Sequence, residues 1–206
     1  MNQINGNLLP LASIGLSLAS FVLLLFTLWL TLSRGQLRMT RPTLIVMGRE
    51  GPELRPAIIL RTMLYATSLR AIAVETMQLH VRHDDGTFVF EFAGYGANDG
   101  LTVGSGWYVP QSGIACDHRF LLRRADAAFL FRSGAYRVDV FAGMAGGRRP
   151  LKLLETGMAL DRAQSAAMAQ ASDMETHFAW DAEAGVFDAS LQRRAAVAPA
   201  EARLTG

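Results

Sequence analysis

The run Met77-Gln78-Leu79-His80-Val81-Arg82-His83-Asp84-Asp85-Gly86-Thr87-Phe88-Val89-Phe90-Glu91-Phe92 holds the clearest structural signal in the chain. Met77, Leu79 and Val81 alternate with Gln78, His80 and Arg82, the period of two that sends successive side chains to opposite faces of a strand. His83 to Gly86 then reads as a turn. Asp-Gly is a strong hairpin signal, because glycine adopts the backbone conformation a tight connection demands. The return strand sets Phe88, Phe90 and Phe92 on one face. A hairpin with one apolar and one polar face predicts an antiparallel sheet covered on its phenylalanine side.

The same period recurs on both sides of this hairpin. Ile114, Cys116, His118 and Phe120 alternate with Ala115, Asp117, Arg119 and Leu121, and Tyr136, Val138 and Val140 follow the Ser133-Gly134 turn. Shorter strands are expected at 43–47, 58–65, 107–109, 127–131 and 151–160. A second hairpin is expected from 176–180 and 186–191 around a turn at 181–185. One short helix is expected at 162–171, where Asp161 caps the first turn and Gln164 stands three residues on, as a capping box requires. Parallel α/β folds need long helical crossovers, and none is visible. The expectation is a mainly β fold, an antiparallel immunoglobulin-like β-sandwich over 43–192 with one short helix, and a barrel as its nearest competitor. The last stretch, 193–206, has few large apolar groups and is expected to be disordered.

The N-terminal stretch follows a different rule. From Met1 to Ser33 there is no charged side chain, and LLPLASIGLSLASFVLLLFTLWLTL fills residues 8–32. As a helix, those residues extend about 37 Å, against about 30 Å of bilayer hydrocarbon. This predicts a single-pass transmembrane helix after a seven-residue head, 1–7. A cleaved signal peptide fits less well, since the head has no positive side chain and no small-x-small cleavage site follows. A basic juxtamembrane linker is expected at 33–42. Trp29, Arg34, Arg38 and Arg41 would then mark the membrane interface, and the arginines would hold the β-domain on the cytoplasmic side. Ser13, Gly15, Ser17 and Ala19 place small residues at helical spacing and form a candidate helix-packing face.

Composition narrows the function classes. The chain has 206 residues, with 20 Lys and Arg against 18 Asp and Glu, a formal net charge of +2. So small an excess does not point to nucleic acid. There is one cysteine, Cys116, so no internal disulfide can form.

RPTLIVMG (41–48), LRTMLYATSLR (60–70), GSGWYVPQSGIACDHRFLL (104–122), GAYRVDVFA (134–142) and HFAWDAEAGVF (177–187) carry a resemblance. The chain resembles a group of uncharacterised bacterial proteins with one N-terminal membrane helix and a β-rich domain. The resemblance implies a membrane-anchored β-domain in the bacterial inner membrane and supplies no activity.

Candidate chemistry gathers around residues 104–118. Gly104-Ser105-Gly106, Trp107-Tyr108-Val109 and Gly113 to His118 look like the strand–turn–strand around the catalytic histidine of trypsin-like serine proteases. The spacing from Gly113 is short for that family, no nucleophile segment follows, and only 88 residues remain after His118. Gly104 and Gly106 have a simpler use at a sharp bend. Cys116 and His118 share a strand face and could form a thiol–imidazole pair, the one enzymatic alternative, a hydrolase. A buried cysteine more often serves as a small hydrophobe. His80, His83, Asp84 and Asp85 offer metal-ligand types, but residues 80 and 83 point to opposite strand faces, so no metal site is expected. Trp107 and Tyr108 with Arg123 and Arg124 form a candidate surface contact for a lipid or glycan. The reading that joins these observations is a membrane-anchored, non-enzymatic module without a cofactor. Its partners would be the lipid bilayer and another membrane protein or complex, not nucleic acid.

Overall fold

The computed structural model describes residues 8–32, 35–96, 106–126 and 129–194, and in the first helix the side chains of residues 13–29. The head 1–7, Arg34, Gly104 and the tail beyond residue 194 lie outside the described residues.

Local signals in the sequence become hairpins. β4 (Ile72–His83) and β5 (Gly86–Gly96) pair Leu79 with Phe90 and Val81 with Phe88 across the Asp84-Asp85 turn. β2 (Leu44–Glu50) turns back into β3 (Arg55–Ala66), β8 (Gly134–Met144) into β9 (Leu151–Leu160), and β10 (Met174–Asp181) into β11 (Val186–Arg193). Between them lie β1 (Leu37–Met39), β6 (Trp107–Val109) and β7 (Ile114–Leu122). All pairings among the described strands are antiparallel, and they build one sheet in the order β11-β10-β2-β3-β7-β5-β4-β8-β9.

The strands therefore do not divide into the two facing sheets that an immunoglobulin-like sandwich has. They form one antiparallel sheet that curls into a half-barrel until β1 comes against β9. Two edges are interrupted strands. β1 pairs with residues 64–66 of β3 and β2 with residues 55–61, along the same side of β3. Pro42, which lacks an N–H for the ladder, falls in the break. Thr40 bridges it: its N–H donates to the Met63 carbonyl, and its hydroxyl accepts from the Met63 N–H, both at 2.9 Å. In the same way β6 extends the edge that β5 makes with β4.

The curl encloses the core. Ile58, Leu60, Leu79, Val81, Phe90, Phe120, Val138 and Val140 point inward and are fully buried. Of the strand expected at 127–131, residues 127 and 128 lie outside the described residues, and 129–131 run as irregular chain beyond a 3-10 turn (Arg124–Asp126). Phe129 and Phe131 fold inward there, Phe129 packing edge-on to Phe88 and Phe90. Their apolar alternation closes the interior rather than pairing with a neighbour. α2 (Arg162–Gln170) has the expected capping box: Asp161 accepts from the Gln164 N–H at 2.7 Å, and Gln164 accepts from the Asp161 N–H at 3.0 Å. Buried Met168 pins α2 to β10, where the Thr176 hydroxyl meets its sulfur at 3.2 Å.

α1 (Leu8–Leu32) is helical as expected. Among the described residues no helix is long and apolar enough to cross a membrane. This overturns the single-pass expectation and the inner-membrane localisation drawn from it. The residues assigned to an interface have other neighbours: Arg38 donates to Gln36 Oε1, and the Arg41 guanidinium lies 4.1 Å over the Trp180 ring. Trp29 lies on the exposed helix, 6.3 Å from Phe26. The chain after α1 is fixed to the sheet at Gln36, whose N–H donates to the Thr67 hydroxyl at 2.8 Å and whose carbonyl accepts from the Thr67 N–H at 3.0 Å.

Candidate functional site

β7 carries the groups with the most chemistry. Its alternation turns Cys116, His118, Phe120 and Leu122 to the interior, and Asp117 and Arg119 to the outer face. Registers of Thr62 with Cys116 and of Leu60 and Tyr95 with His118 set their neighbours. His118 is 1% exposed and lies 6.5 Å from the Phe92 ring. The Cys116 sulfur is 3.8 Å from His118 Nδ1 and 3.7 Å from Nε2. Neither nitrogen is singled out to take the thiol proton.

The electrostatics oppose nucleophilic catalysis. Burial pushes the Cys116 thiol up to about 11, and the Asp117 charge pushes the same way. Burial pushes the His118 imidazole down to about 4, against the pull of Asp117. At neutral pH both groups are uncharged, whereas an activated pair needs the thiolate. Asp117 cannot orient the ring, because it points outward and accepts from Arg61 at 2.7 and 3.0 Å. The buried Thr62 hydroxyl has no hydrogen-bond partner among the described residues. These three side chains form a polar island inside an apolar shell.

The aromatic and basic residues read together in the sequence are separated by the fold. Trp107 packs on Phe92 and Tyr95, with ring centroids 4.7 and 5.2 Å away, on the inner face. Arg123 pairs at 3.2 Å with Glu91, the neighbour of Phe92, which faces the other way. Tyr108 alone presents its ring to solvent, at 74% exposure. Gly106 has φ +99°, consistent with the bend expected of it before β6.

The histidines of the first hairpin do not converge. His80 packs on Phe141 and His83 stacks on Tyr136, and no group of three metal-ligand side chains occurs among the described residues.

Two features were not legible. Arg124, paired at 3.3 Å with Glu53, lines a cavity of about 530 Å³ together with Arg49, Arg55 and Arg123. In sequence, Arg49 and Arg55 flank a turn, but nothing there shows that residues 123–124 reach the same place. The second feature is the exposure of α1. Leu16, Leu18, Phe21, Leu23, Phe26 and Trp29 are 53% to 73% exposed. Ser13, Gly15, Ser17 and Ala19 lie on the same open helix. No family model, no curated protein and no solved structure matches the chain.

Proposed function

We propose that the chain is a non-enzymatic binding module, a curled β-domain that presents α1 to a protein partner and serves as an accessory subunit of a larger assembly. The observation that carries this reading is the exposure of large apolar side chains along α1 between Ile14 and Trp29. Each such side chain contributes about 1.5–3 kcal/mol when taken out of water. Exposed large apolar groups elsewhere, such as Leu69 and Val186, are scattered and need no partner. On the helix they run continuously around the axis, so the partner that fits is an apolar helix or groove of another protein chain. The neutral thiol and imidazole on β7 support the non-enzymatic half of the reading.

A photo-crosslinking residue placed at Leu18 tests it in cells, with one at Tyr108 for comparison. A discrete adduct with one protein from Leu18, absent from Tyr108, is the expected outcome. Label recovered only in lipid, or a full-length chain that stays monomeric in water with α1 accessible, overturns it.

A further inference from the structure

The cavity of about 530 Å³ lies where the β2–β3 turn meets the end of β7. Its size is that of a small-molecule site. One wall is basic: Arg49, Arg55, Arg123 and Arg124 stand against a single carboxylate, Glu53. The other is apolar, made by Leu54, Leu122, Phe129 and Leu130. Most of this charge has a partner. Arg124 pairs with Glu53, Arg123 with Glu91, and Arg55 donates to the Leu122 carbonyl. Arg49, a residue of intermediate burial, has no carboxylate partner among the described residues. A guanidinium without a carboxylate partner has its planar fork of donors free for an incoming anion, which it can grip through two N–H groups at once.

A second observation is independent of charge. Leu54, at the rim, has φ +49° and is 44% exposed. A bulky side chain in the left-handed region is strained, and such strain concentrates at ligand clamps. Here it holds an apolar side chain at the mouth of a basic cavity, where glycine would have been easier to fold.

We infer that this cavity binds a small organic anion, an apolar body carrying a carboxylate or a phosphate. Arg49 and Arg55 hold the anionic head, and Leu54, Phe129 and Leu130 cover the body. The site is separate from α1 and stands or falls independently of the partner reading.

Equilibrium dialysis of the full-length chain against 2-naphthoate, 2-naphthyl phosphate and uncharged 2-naphthol tests it. Saturable one-to-one binding of at least one anion is expected, about tenfold or more tighter than 2-naphthol. The stronger of the two anions identifies the head as carboxylate or phosphate. Arg49→Gln should weaken that anion about tenfold or more with an unchanged unfolding midpoint, because its side chain holds no partner in the fold. If Arg49→Gln fails to fold, Arg49→Lys carries the same test, since it keeps the charge and loses the planar fork that grips the anion. Leu130→Gln should weaken all three compounds. Absence of saturation by both anions, 2-naphthol binding as tightly as either, or anion binding indifferent to the arginine substitution each overturns the inference.

Discussion

Acidification should unfold this protein through His118. The imidazole sits on the inner face of β7 at 1% exposure, beside Cys116 and near Phe92. It titrates near 4 in the fold, pushed down by burial, against an ordinary 6.5. Between those values the unfolded chain binds a proton that the folded chain refuses, so stability rises with pH across that window. Above about 6.5 the neutral form prevails in both states and nothing is lost. At 1.36 kcal/mol per pH unit, acidification to about 4 removes roughly 3 kcal/mol. That is a large fraction of the 5–15 kcal/mol typical of a domain. Urea unfolding at a series of pH values reads it directly, with His118→Leu as the control. Leucine has similar volume, takes no proton and leaves no nitrogen to satisfy. The difference in stability between wild type and His118→Leu should shift by roughly 3 kcal/mol in the variant's favour between pH 7 and 4. Parallel pH curves for the two proteins refute the reasoning. So does an imidazole resonance of His118 with its midpoint near 6.5.

Three further outcomes follow from single side chains. Tyr136 begins β8 and donates its hydroxyl to the Arg132 carbonyl at 2.6 Å, so Tyr136→Phe should cost about 1 kcal/mol in urea unfolding while the ring packing persists. Asp139 is buried at 4% exposure and pairs with Lys152 at 2.8 Å and with Arg82. Burial alone would raise its carboxyl, but the two cations overcome this and hold it below the usual carboxylate range. Asp139→Asn should therefore destabilise by about 1–3 kcal/mol at pH 7, and the gap to wild type should close as pH falls below about 4, where the unfolded chain's carboxylate takes up a proton that the folded one accepts only at lower pH. The Cys116 thiol, raised to about 11, should react with iodoacetamide at pH 7.5 at least about a hundredfold more slowly than a free cysteine. A rate equal to free cysteine would restore the thiol–imidazole reading of β7.

What could be read from the sequence was local. The Asp84-Asp85 hairpin, the second hairpin from 176 to 191 and the Asp161 capping box each rest on residues close together in the sequence, and each is present. The inward set is also legible: period alone puts Leu79, Val81, Phe90, Phe120, Tyr136 and Val138 on apolar faces, and all are buried. The chemistry of β7 was legible only as proximity. Spacing puts Cys116 and His118 on one face, but burial decides their protonation, and burial depends on Phe92 and on registers with β3 and β5. Residues 33–42 read as a basic linker because arginines dominate a short stretch, while Leu37 and Met39, on either side of Arg38, are buried in β1.

Long-range pairing explains why two sheets were expected where one is found. An alternating strand states which face is buried and says nothing about its neighbour. Four hairpins, β2–β3, β4–β5, β8–β9 and β10–β11, could have been stacked as a sandwich. The structure instead joins them edge to edge through β10–β2, β3–β7, β5–β7 and β4–β8. β7 is the strand that makes this possible. It has no hairpin partner of its own in the described chain, and it enters between β3 and β5, taking one ladder from each. The two hairpins it bridges thereby become one surface. A surface that keeps the right-handed twist over nine strands in series must curl, and the inward phenylalanines fill the space that the curl encloses. Substitutions that weaken the β7 ladders should thus separate the molecule into two halves before either hairpin melts.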